Sequence, residues 1–505
     1  MRTPILLLVL GLLGLAGCRD SFLETQPTDR FTQQTFWKTR EHAEAALNGT
    51  YASLLNNNLY GGNAPIFWDG LTPNAFIYNN PNGFGNIAQG IHDAANTGLI
   101  NNLWGACYGG IGRANNLLAN VNAITMDETL KKRYVAEVKF LRALFYHQLV
   151  TLYGGVPLIV NATNVEEQAN LPRSVSEAVV AQVLKDLTEA APDLPLTYGA
   201  GERGRATRGA ALTLRARVLL YQGRWVEAAA AAKSVMDLKT YSLFPDYRGL
   251  FLLENEGNAE VIFDAQFKFP EFPHGFDVNL DQFNGTAPLP GLINDYYLTD
   301  GRSTKNSPLF NPQKPFENRD PRLLATVMYI GSQYKGAPVT ESQYPQTGYG
   351  QKKYTIYRDT ERPVAIKVEG QSELNFIILR YADVLLMYAE AQNEALGPDA
   401  SIYDAVNLIR KRAQMPNLPA GLSKDAMREE IRHERRIELA GEALYYFDIR
   451  RWRTAEKVMN GDVTNAKGQR IGTRRFDAAR DYLWPIPSVA IQLNPALTQN
   501  PGYNR

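Results

Sequence analysis

The sequence has very little cysteine. Only Cys18 and Cys107 occur among its 505 residues, so at most one disulfide can form. A framework of several disulfides and a zinc site built from cysteines are therefore excluded. The five histidines do not replace them, because none has the close spacing of a zinc-binding pair. The sequence predicts no metal and no cofactor.

The chain also lacks a net charge of either sign. Lys and Arg total 53 and Asp and Glu total 52, which gives a formal net charge of +1. Such a balance provides no broad basic surface for nucleic acid and no acidic surface for a cationic partner. Hydrophobic residues make up 45% of the chain and charged residues 21%, as is usual for a folded globular protein.

Long apolar runs are absent except at the N-terminus. There, residues 5–16 form an apolar run behind Arg2, which is typical of a secretory signal and shorter than the roughly 20 residues of a membrane span. The run ends in Leu15-Ala16-Gly17-Cys18, which resembles a bacterial lipoprotein cleavage box. We expect residues 1–17 to be a signal peptide, Cys18 to be lipidated, and residues 18–30 to form a lipidated tether. The alternative is an ordinary cleaved signal with a chance cysteine.

Apolar residues at helical spacing predict helices along most of the chain. The predicted helices cover residues 36–51, 99–121, 128–153, 174–190, 207–220, 225–238, 379–396, 402–415, 425–440 and 444–459. Ala216, Gly223, Trp225 and Ala228 have the spacing of a tetratricopeptide repeat, in which small residues let two antiparallel helices touch. We predict a mainly α fold, a tetratricopeptide-like scaffold of helical pairs that bears long irregular loops with minor β structure.

Two segments interrupt this helical pattern. Residues 255–370 are rich in Pro, Gly, Asn, Tyr and Phe and contain a short β-like run at residues 261–265, and residues 56–98 look similar. We expect residues 31–505 to form a single unit. We divide it into an N-terminal helical part (31–254), an irregular insertion (255–370) and a C-terminal helical part (371–505). Long loops on a rigid scaffold are usually functional.

Motifs for catalysis are scarce. Gly199, Gly201 and Gly204 spell GxGxxG, but no βαβ unit surrounds them, so we interpret them as a turn that leads into a helix capped by Thr207. Three glutamates share one face of a predicted helix and have arginines interleaved with them: Glu430, Glu434 and Glu438, with Arg428, Arg432, Arg435 and Arg436. Nearby arginine lowers a carboxyl pKa, which favours a structural ion-pair network over a general acid. We therefore predict that the protein is not an enzyme.

Aromatic residues are plentiful, at 10% of the chain, and many lie in the irregular segments beside asparagines. A ring covers the apolar face of a sugar while amides bond its hydroxyls, so this composition suits a neutral, hydroxyl-rich ligand. It also suits an extended peptide, and the rings could instead pack the loops onto the scaffold. The candidate ligand-binding residues are Trp68, Asn74, Tyr78, Phe84, Phe276 and Phe283.

A series of short motifs runs along nearly the whole mature chain. It includes Phe22-Leu23-Glu24, Phe36-Trp37, Leu47-Asn48-Gly49-Thr50-Tyr51, Arg113-Ala114-Asn115, Tyr153-Gly154-Gly155-Val156-Pro157, Asp300-Gly301-Arg302, Arg380-Tyr381-Ala382-Asp383, Glu434-Arg435-Arg436, Phe447-Asp448-Ile449-Arg450, Pro485-Ile486-Pro487 and Asn500-Pro501-Gly502-Tyr503. In this order the motifs resemble the SusD/RagB family of outer-membrane nutrient-binding lipoproteins.

The resemblance implies a cell-surface protein anchored by lipid in the outer membrane. It implies that the protein is a lid on a SusC-like TonB-dependent transporter, captures oligosaccharide and delivers it to that partner. Oligopeptide capture by the same architecture is the alternative. A hydrolase and a protein-docking scaffold with no small ligand are two further hypotheses. The family's ligand residues lie in variable loops, so the resemblance assigns none of them here.

Overall fold

A computed structural model describes residues 36–361, 368 and 370–504 of the chain. The predicted signal peptide, the predicted lipidation site at Cys18 and the predicted tether lie outside the described residues. Among the residues that are described, no helix is both long enough and apolar enough to cross a membrane.

Helices are the main elements of the structure. In chain order they are α1 (Arg40–Ala52), α2 (Ala64–Phe67), α3 (Phe84–Ala88), α4 (Gly98–Asn120), α5 (Glu128–Tyr153), α6 (Val165–Gln168), α7 (Ser176–Ala190), α8 (Arg208–Tyr221), α9 (Trp225–Asp237), α10 (Phe276–Asp281), α11 (Pro290–Asp295), α12 (Arg322–Thr326), α13 (Tyr381–Leu396), α14 (Ala400–Arg412), α15 (Lys424–Glu438), α16 (Tyr445–Arg451), α17 (Ala455–Val458) and α18 (Ser488–Leu493).

The long helices pack side by side in a row that largely follows chain order. Helix α4 packs against α5, α5 against α7, α7 against α8, and α8 against α9. The row continues across the irregular segment, because α13 packs against α9 and both α14 and α15 pack against α13. The predicted mainly α fold class is confirmed. Ala216 and Ala228 are buried, and Gly223 makes the turn between α8 and α9 with a φ of +67°.

Local capping residues explain where several helices begin. The Thr207 side chain accepts a hydrogen bond from the Ala210 amide at 3.1 Å, so Thr207 caps α8 as predicted, behind the GxGxxG turn.

Two predicted helices differ from the structure. The segment 379–396 begins as a strand and becomes helical only at Tyr381, because its first residues pair with another strand. The segment 444–459 is split where Arg453 adopts a φ of +55°.

The strands are short and pair two by two. They are β1 (Ala75–Phe76), β2 (Val261–Ala265), β3 (Ala287–Pro288), β4 (Val327–Tyr329), β5 (Gln333–Tyr334), β6 (Ala337–Pro338), β7 (Tyr349–Gln351), β8 (Phe376–Arg380), β9 (Gly461–Thr464) and β10 (Arg470–Arg474). The antiparallel pairs are β1–β3, β2–β8, β4–β7, β5–β6 and β9–β10. The β2–β8 pair joins the two ends of the irregular segment at the helical row. The division of the chain at residues 254 and 370 stays a prediction.

The predicted ion-pair network between helices exists at α15, and the arginines that pair with Glu434 and Glu438 come from outside this helix. Arg322 and Arg410 pair with Glu434 at 2.5 and 3.1 Å, and Arg380 pairs with Glu438 at 2.7 Å. The arginines come from other elements because neighbouring residues of one helix point in different directions. The interleaved Arg435 pairs instead with Asp383 of α13 at 2.9 Å.

A second group of carboxylates near the β2–β8 pair forms no ion pair with the described residues, and hydrogen bonds and the charge of Arg203 offset its burial only in part. Burial raises the pKa of Glu256 from 4.5 to about 7, and the nearby charges of Asp264 and Glu373 add to the rise. Burial likewise raises the pKa of Asp264 to about 6. A carboxyl whose pKa is raised by folding binds more protons in the folded state than in the unfolded state. The free energy of unfolding therefore falls as the pH rises from about 4.5 to about 7.

Replacing Glu256 with glutamine is expected to remove part of this fall. The E256Q variant should match the wild type near pH 4 and be more stable by about 1–3 kcal/mol at pH 8. Thermal unfolding between pH 4 and 8 measures the difference. The control is E254Q, because Arg358 lowers the pKa of Glu254, so this neighbouring substitution gives no gain at pH 8. Parallel pH profiles for E256Q and wild type would contradict the prediction.

Candidate functional site

A short strand pair brings the two irregular segments of the chain together. In the β1–β3 pair, Ala75 lies opposite Pro288 and Phe76 opposite Ala287. Because the strands are antiparallel, the chain that continues past Phe76 and the chain that precedes Ala287 lie at the same end of the pair. Tyr78 and Phe283 are carried by these two stretches.

Tyr78 and Phe283 are the two sequence-predicted site residues that solvent reaches. Their side chains are 60% and 55% exposed, respectively. Phe283 follows helix α10, where the Phe283 amide donates to the Val278 carbonyl at 3.2 Å. Asn284 comes next with a φ of +45°, and its amide donates to the Tyr349 carbonyl at 3.0 Å. The backbone that presents Phe283 is therefore held on both sides.

The loop that follows Tyr78 is built from asparagine and glycine in left-handed conformations. Asn80, Asn82 and Gly83 have φ values of +44°, +49° and +82°. Glycine adopts this region without a steric clash because it has no Cβ atom. Asparagine adopts it because its short polar side chain can form hydrogen bonds with the local backbone. The Asn-Pro-Asn-Gly sequence of the loop is a turn signal that could have identified this conformation.

Amide hydrogen bonds on the surface connect this loop to its neighbours. The Asn82 amide donates to the Asn58 Oδ1 atom at 2.8 Å, and the Asn102 amide donates to Asn82 Oδ1 at 3.3 Å. The Asn80 amide donates to Asn86 Oδ1 at 2.9 Å. These exposed amides offer donors and acceptors beside Tyr78, which is the arrangement that hydroxyl groups require.

Trp68 and Phe84 are buried and do not face solvent, contrary to what ligand contact would require. Trp68 stacks on Trp484 with ring centroids 5.7 Å apart and an interplanar angle of 4°, and Phe84 meets Trp68 edge-on at 5.8 Å. Since the two rings are 6% and 1% exposed, they pack the loops onto the helical row. Phe84 lies directly behind the asparagine loop and anchors it.

Asn74 and Phe276 are buried as well. The Asn74 Oδ1 atom accepts a hydrogen bond from Arg436 Nε at 2.8 Å, so this amide joins β1 to helix α15. Phe276 begins helix α10 and stacks on His274 at 3.7 Å. Of the six candidates, four are buried in the structure and Tyr78 and Phe283 are exposed, and ligand contact by any of them stays a prediction.

The first irregular segment carries almost no charge. No Lys or Arg occurs between residues 41 and 112. Within the stretch that follows α1, the acidic residues are Asp69 and Asp93, and burial raises the pKa of Asp69 to about 6. The segment that carries Tyr78 is therefore rich in rings and amides and poor in charged side chains.

Four of the five histidines are poor candidates for catalysis. Burial lowers the pKa values of His92, His274 and His433 to about 4 and that of His147 to about 3. These rings are neutral at physiological pH. In the described part of the chain, no three His, Cys, Asp or Glu side chains are grouped so that they could hold a metal ion. Cys107 is buried, and burial raises the pKa of its thiol well above the ordinary value.

The chain is similar to one group of proteins along nearly its whole length. A family model described as the SusD family matches residues 264–503, and a model described as "Starch-binding associating with outer membrane" matches residues 21–220. SusD-like protein P25 of Formosa agariphila is 26% identical over 520 residues, and the match covers 96% of each chain.

Two solved structures from Bacteroides fragilis share the fold. A SusD-like protein is 27% identical, with a TM-score of 0.83 over 95% of this chain and 100% of that chain. A SusD-like carbohydrate binding protein is 29% identical, with a TM-score of 0.84 over 92% of this chain and 100% of that chain.

Proposed function

The chain belongs to the SusD family, and on this basis we propose that it is a nutrient-binding lipoprotein of the cell surface that captures oligosaccharide. In this proposal Tyr78 and Phe283 contact the sugar rings, and the asparagine loop beside Tyr78 bonds the hydroxyls. Cys18 carries the lipid anchor. A SusC-like TonB-dependent transporter receives the ligand, and the protein acts as its lid.

The observation that carries the proposal is the pair of exposed aromatic side chains at one end of the β1–β3 pair. An exposed aromatic ring offers a flat apolar surface on which the apolar face of a sugar ring can stack. The amides of Asn80 and Asn82 lie in the same loop as Tyr78, in a segment without Lys or Arg. This combination favours a hydroxyl-rich ligand.

The similar proteins support the same ligand class and location. One matching family model is described by starch binding and by association with the outer membrane, and one B. fragilis relative is described as carbohydrate binding. We propose binding without catalysis. The side chains of His92 and His274 are buried and neutral at physiological pH, which does not suit proton transfer to a ligand.

Alanine at Tyr78 or Phe283 is expected to weaken glycan binding by about tenfold or more each, because an aromatic anchor at a binding site contributes about 2 kcal/mol. Calorimetric titration against a panel of polysaccharides and their oligosaccharides measures the loss. The matched control is L493A, which removes an even more exposed apolar side chain from helix α18. Its affinity should equal that of the wild type.

Oligopeptide capture is the competing function. Asparagine side chains also bond extended peptide backbones, and exposed rings also fill side-chain pockets. Tight binding to peptides, with no binding to any glycan of the panel, would replace the proposed function by this one. Unchanged glycan affinity in both Y78A and F283A would move the binding site elsewhere on the protein.

A further inference from the structure

A cavity of about 50 Å³ lies between the first irregular segment and the helical row. Helices α5 and α8, strand β8 and the start of α16 form most of its wall, together with residues 59–68 of the irregular segment. None of the residues that line it is exposed, so the cavity reaches deep into the protein. It is separate from the proposed glycan surface, because neither Tyr78 nor Phe283 belongs to its wall.

Most of the cavity wall is apolar. The rings of Tyr60 and Phe376 stack with centroids 6.2 Å apart, and Trp68 meets Phe447 at 5.1 Å. Leucine and isoleucine side chains from α5 and β8 complete this part of the wall. Such a surface suits the C–H groups of a ligand, whereas a water molecule beside it finds few hydrogen-bond partners.

Three polar side chains of the wall have an atom without a partner. His147 of α5 is 6% exposed, and its Nδ1 atom lies 3.4 Å from Thr151 Oγ1. Its Nε2 atom bonds to nothing in the described part of the chain and is not fully enclosed by protein, so it faces the cavity. The same is true of the Tyr221 hydroxyl and of Gln148 Oε1, while the Gln148 amide nitrogen donates to Tyr60 Oη at 2.9 Å. These atoms are unused hydrogen-bonding positions in a packed interior.

The three unpartnered groups are uncharged at physiological pH. Burial lowers the pKa of His147 to about 3, and the nearby charge of Arg217 adds to this effect. Burial raises the pKa of the Tyr221 hydroxyl. The charged side chains of the wall already have partners, since Arg217 pairs with Asp383 at 2.7 Å and Glu442 pairs with buried basic side chains. The cavity therefore offers no free countercharge to an ionic ligand.

The volume of the cavity limits the size of its ligand. One water molecule needs about 10–15 Å³ of such space, so about three to five groups of that size fit. A whole sugar ring with its hydroxyls is larger than this. A chain of about three carbons that each carry a hydroxyl matches both the volume and the three unpartnered groups.

We propose that this cavity binds a small neutral polyol of about three carbons, such as glycerol. The C–H groups of the polyol lie on the rings of Trp68 and Phe376, and its hydroxyls bond to His147 Nε2, Tyr221 Oη and Gln148 Oε1. A hydroxyl suits all three atoms, because it can both donate and accept. This site does not depend on the proposed function.

Ligand-observed NMR with the wild-type protein tests the inference. Saturation of the protein signals should transfer to the C–H protons of glycerol, and the transfer should level off as the glycerol concentration rises. Propan-1-ol has the same carbons and lacks two of the hydroxyls. It should bind more weakly by about fivefold to hundredfold, the effect of losing two neutral hydrogen bonds. Glucose should not displace glycerol, because it is too large for the cavity.

Two conservative variants remove the unpartnered groups and keep the rings. H147F and Y221F should each weaken glycerol binding by about twofold to tenfold, the effect of losing one neutral hydrogen bond. The matched control is Y388F, which removes a hydroxyl that bonds to Ser401 at 2.8 Å outside the cavity. Y388F should bind glycerol as the wild type does. Thermal unfolding of each variant verifies that it folds.

The outcomes decide between a polyol site and a cavity that holds water only. Saturable glycerol binding that weakens in H147F and Y221F and not in Y388F supports the inference. No saturable binding of glycerol overturns it, and so does glycerol binding that is unchanged in both H147F and Y221F. Equal binding of propan-1-ol and glycerol would overturn the proposed ligand class. Y78A and F283A should bind glycerol normally, so a failure of the proposed glycan site leaves this test intact.

Discussion

Replacing Trp68 with alanine is expected to lower the free energy of unfolding by about 3–5 kcal/mol. The indole is 6% exposed and lies among the rings of Trp484, Phe84, Tyr446 and Phe447, with centroids between 5.1 and 5.8 Å away. Removing it leaves a cavity that close-packed neighbours on several different elements can fill only in part. Chemical or thermal unfolding of the purified variant measures the loss.

The same measurement on Y78A is the control, because that side chain is 60% exposed. Its substitution should change stability by no more than about 0.5 kcal/mol. The two variants should therefore behave in opposite ways, with W68A losing stability and Y78A losing glycan affinity. A W68A protein that keeps its stability and loses glycan affinity would show that Trp68 contacts the ligand after a rearrangement of the loops.

Replacing Glu438 with alanine is expected to have an effect of similar size, about 3–5 kcal/mol of lost stability. Glu438 is fully buried and pairs with Arg380 at 2.7 Å, with Arg322 at 3.0 Å and with Arg412. These guanidiniums hold the pKa of the carboxyl far below its usual value. Without the carboxylate, buried positive charges that come from three separate segments face one another.

E429A is the control for Glu438, since Glu429 lies on the same helix with its side chain 73% exposed and, among the described residues, forms an ion pair with Arg432 alone, at 3.5 Å. The E429A substitution should lower the free energy of unfolding by no more than about 0.5 kcal/mol.

The pH dependence of stability gives a second test of the role of Glu438. A carboxyl with a lowered pKa stabilises the fold above its unfolded pKa of 4.5, and this contribution is lost as the pH falls below that value. The gap between E438A and wild type should therefore narrow on acidification, and a gap that stays constant would contradict the assignment.

Helix α5 shows how much local sequence information decides. Its predicted bounds, residues 128 and 153, are those of the structure, because the signals that set them are local. Asp127 caps the N-terminus, a continuous apolar stripe runs along the helix, and Gly154 follows its last residue. The segment 379–396 shows the limit of this reading. Its first residues have a helical pattern of apolar side chains, but pairing with β2, more than a hundred residues earlier, makes them a strand.

The ion pairs of α15 show a similar limit. The glutamates on one face and their need for arginine partners were evident from spacing alone. Which arginines approach them was not, because Arg322, Arg380 and Arg410 come from distant parts of the chain.

The amino-acid sequence by itself determined the mainly α class, the approximate positions of the long helices, the two irregular segments and the membership of the SusD family. These properties follow from periodicity, capping residues and ordered motifs, which are local in the chain. Only the tertiary structure decided which aromatic side chains are available to a ligand. Tyr78 and Phe84 are six residues apart in the first irregular segment, yet one is exposed and the other is buried against Trp68. Burial is set by what packs on a residue from elsewhere, and that information is not contained in the segment.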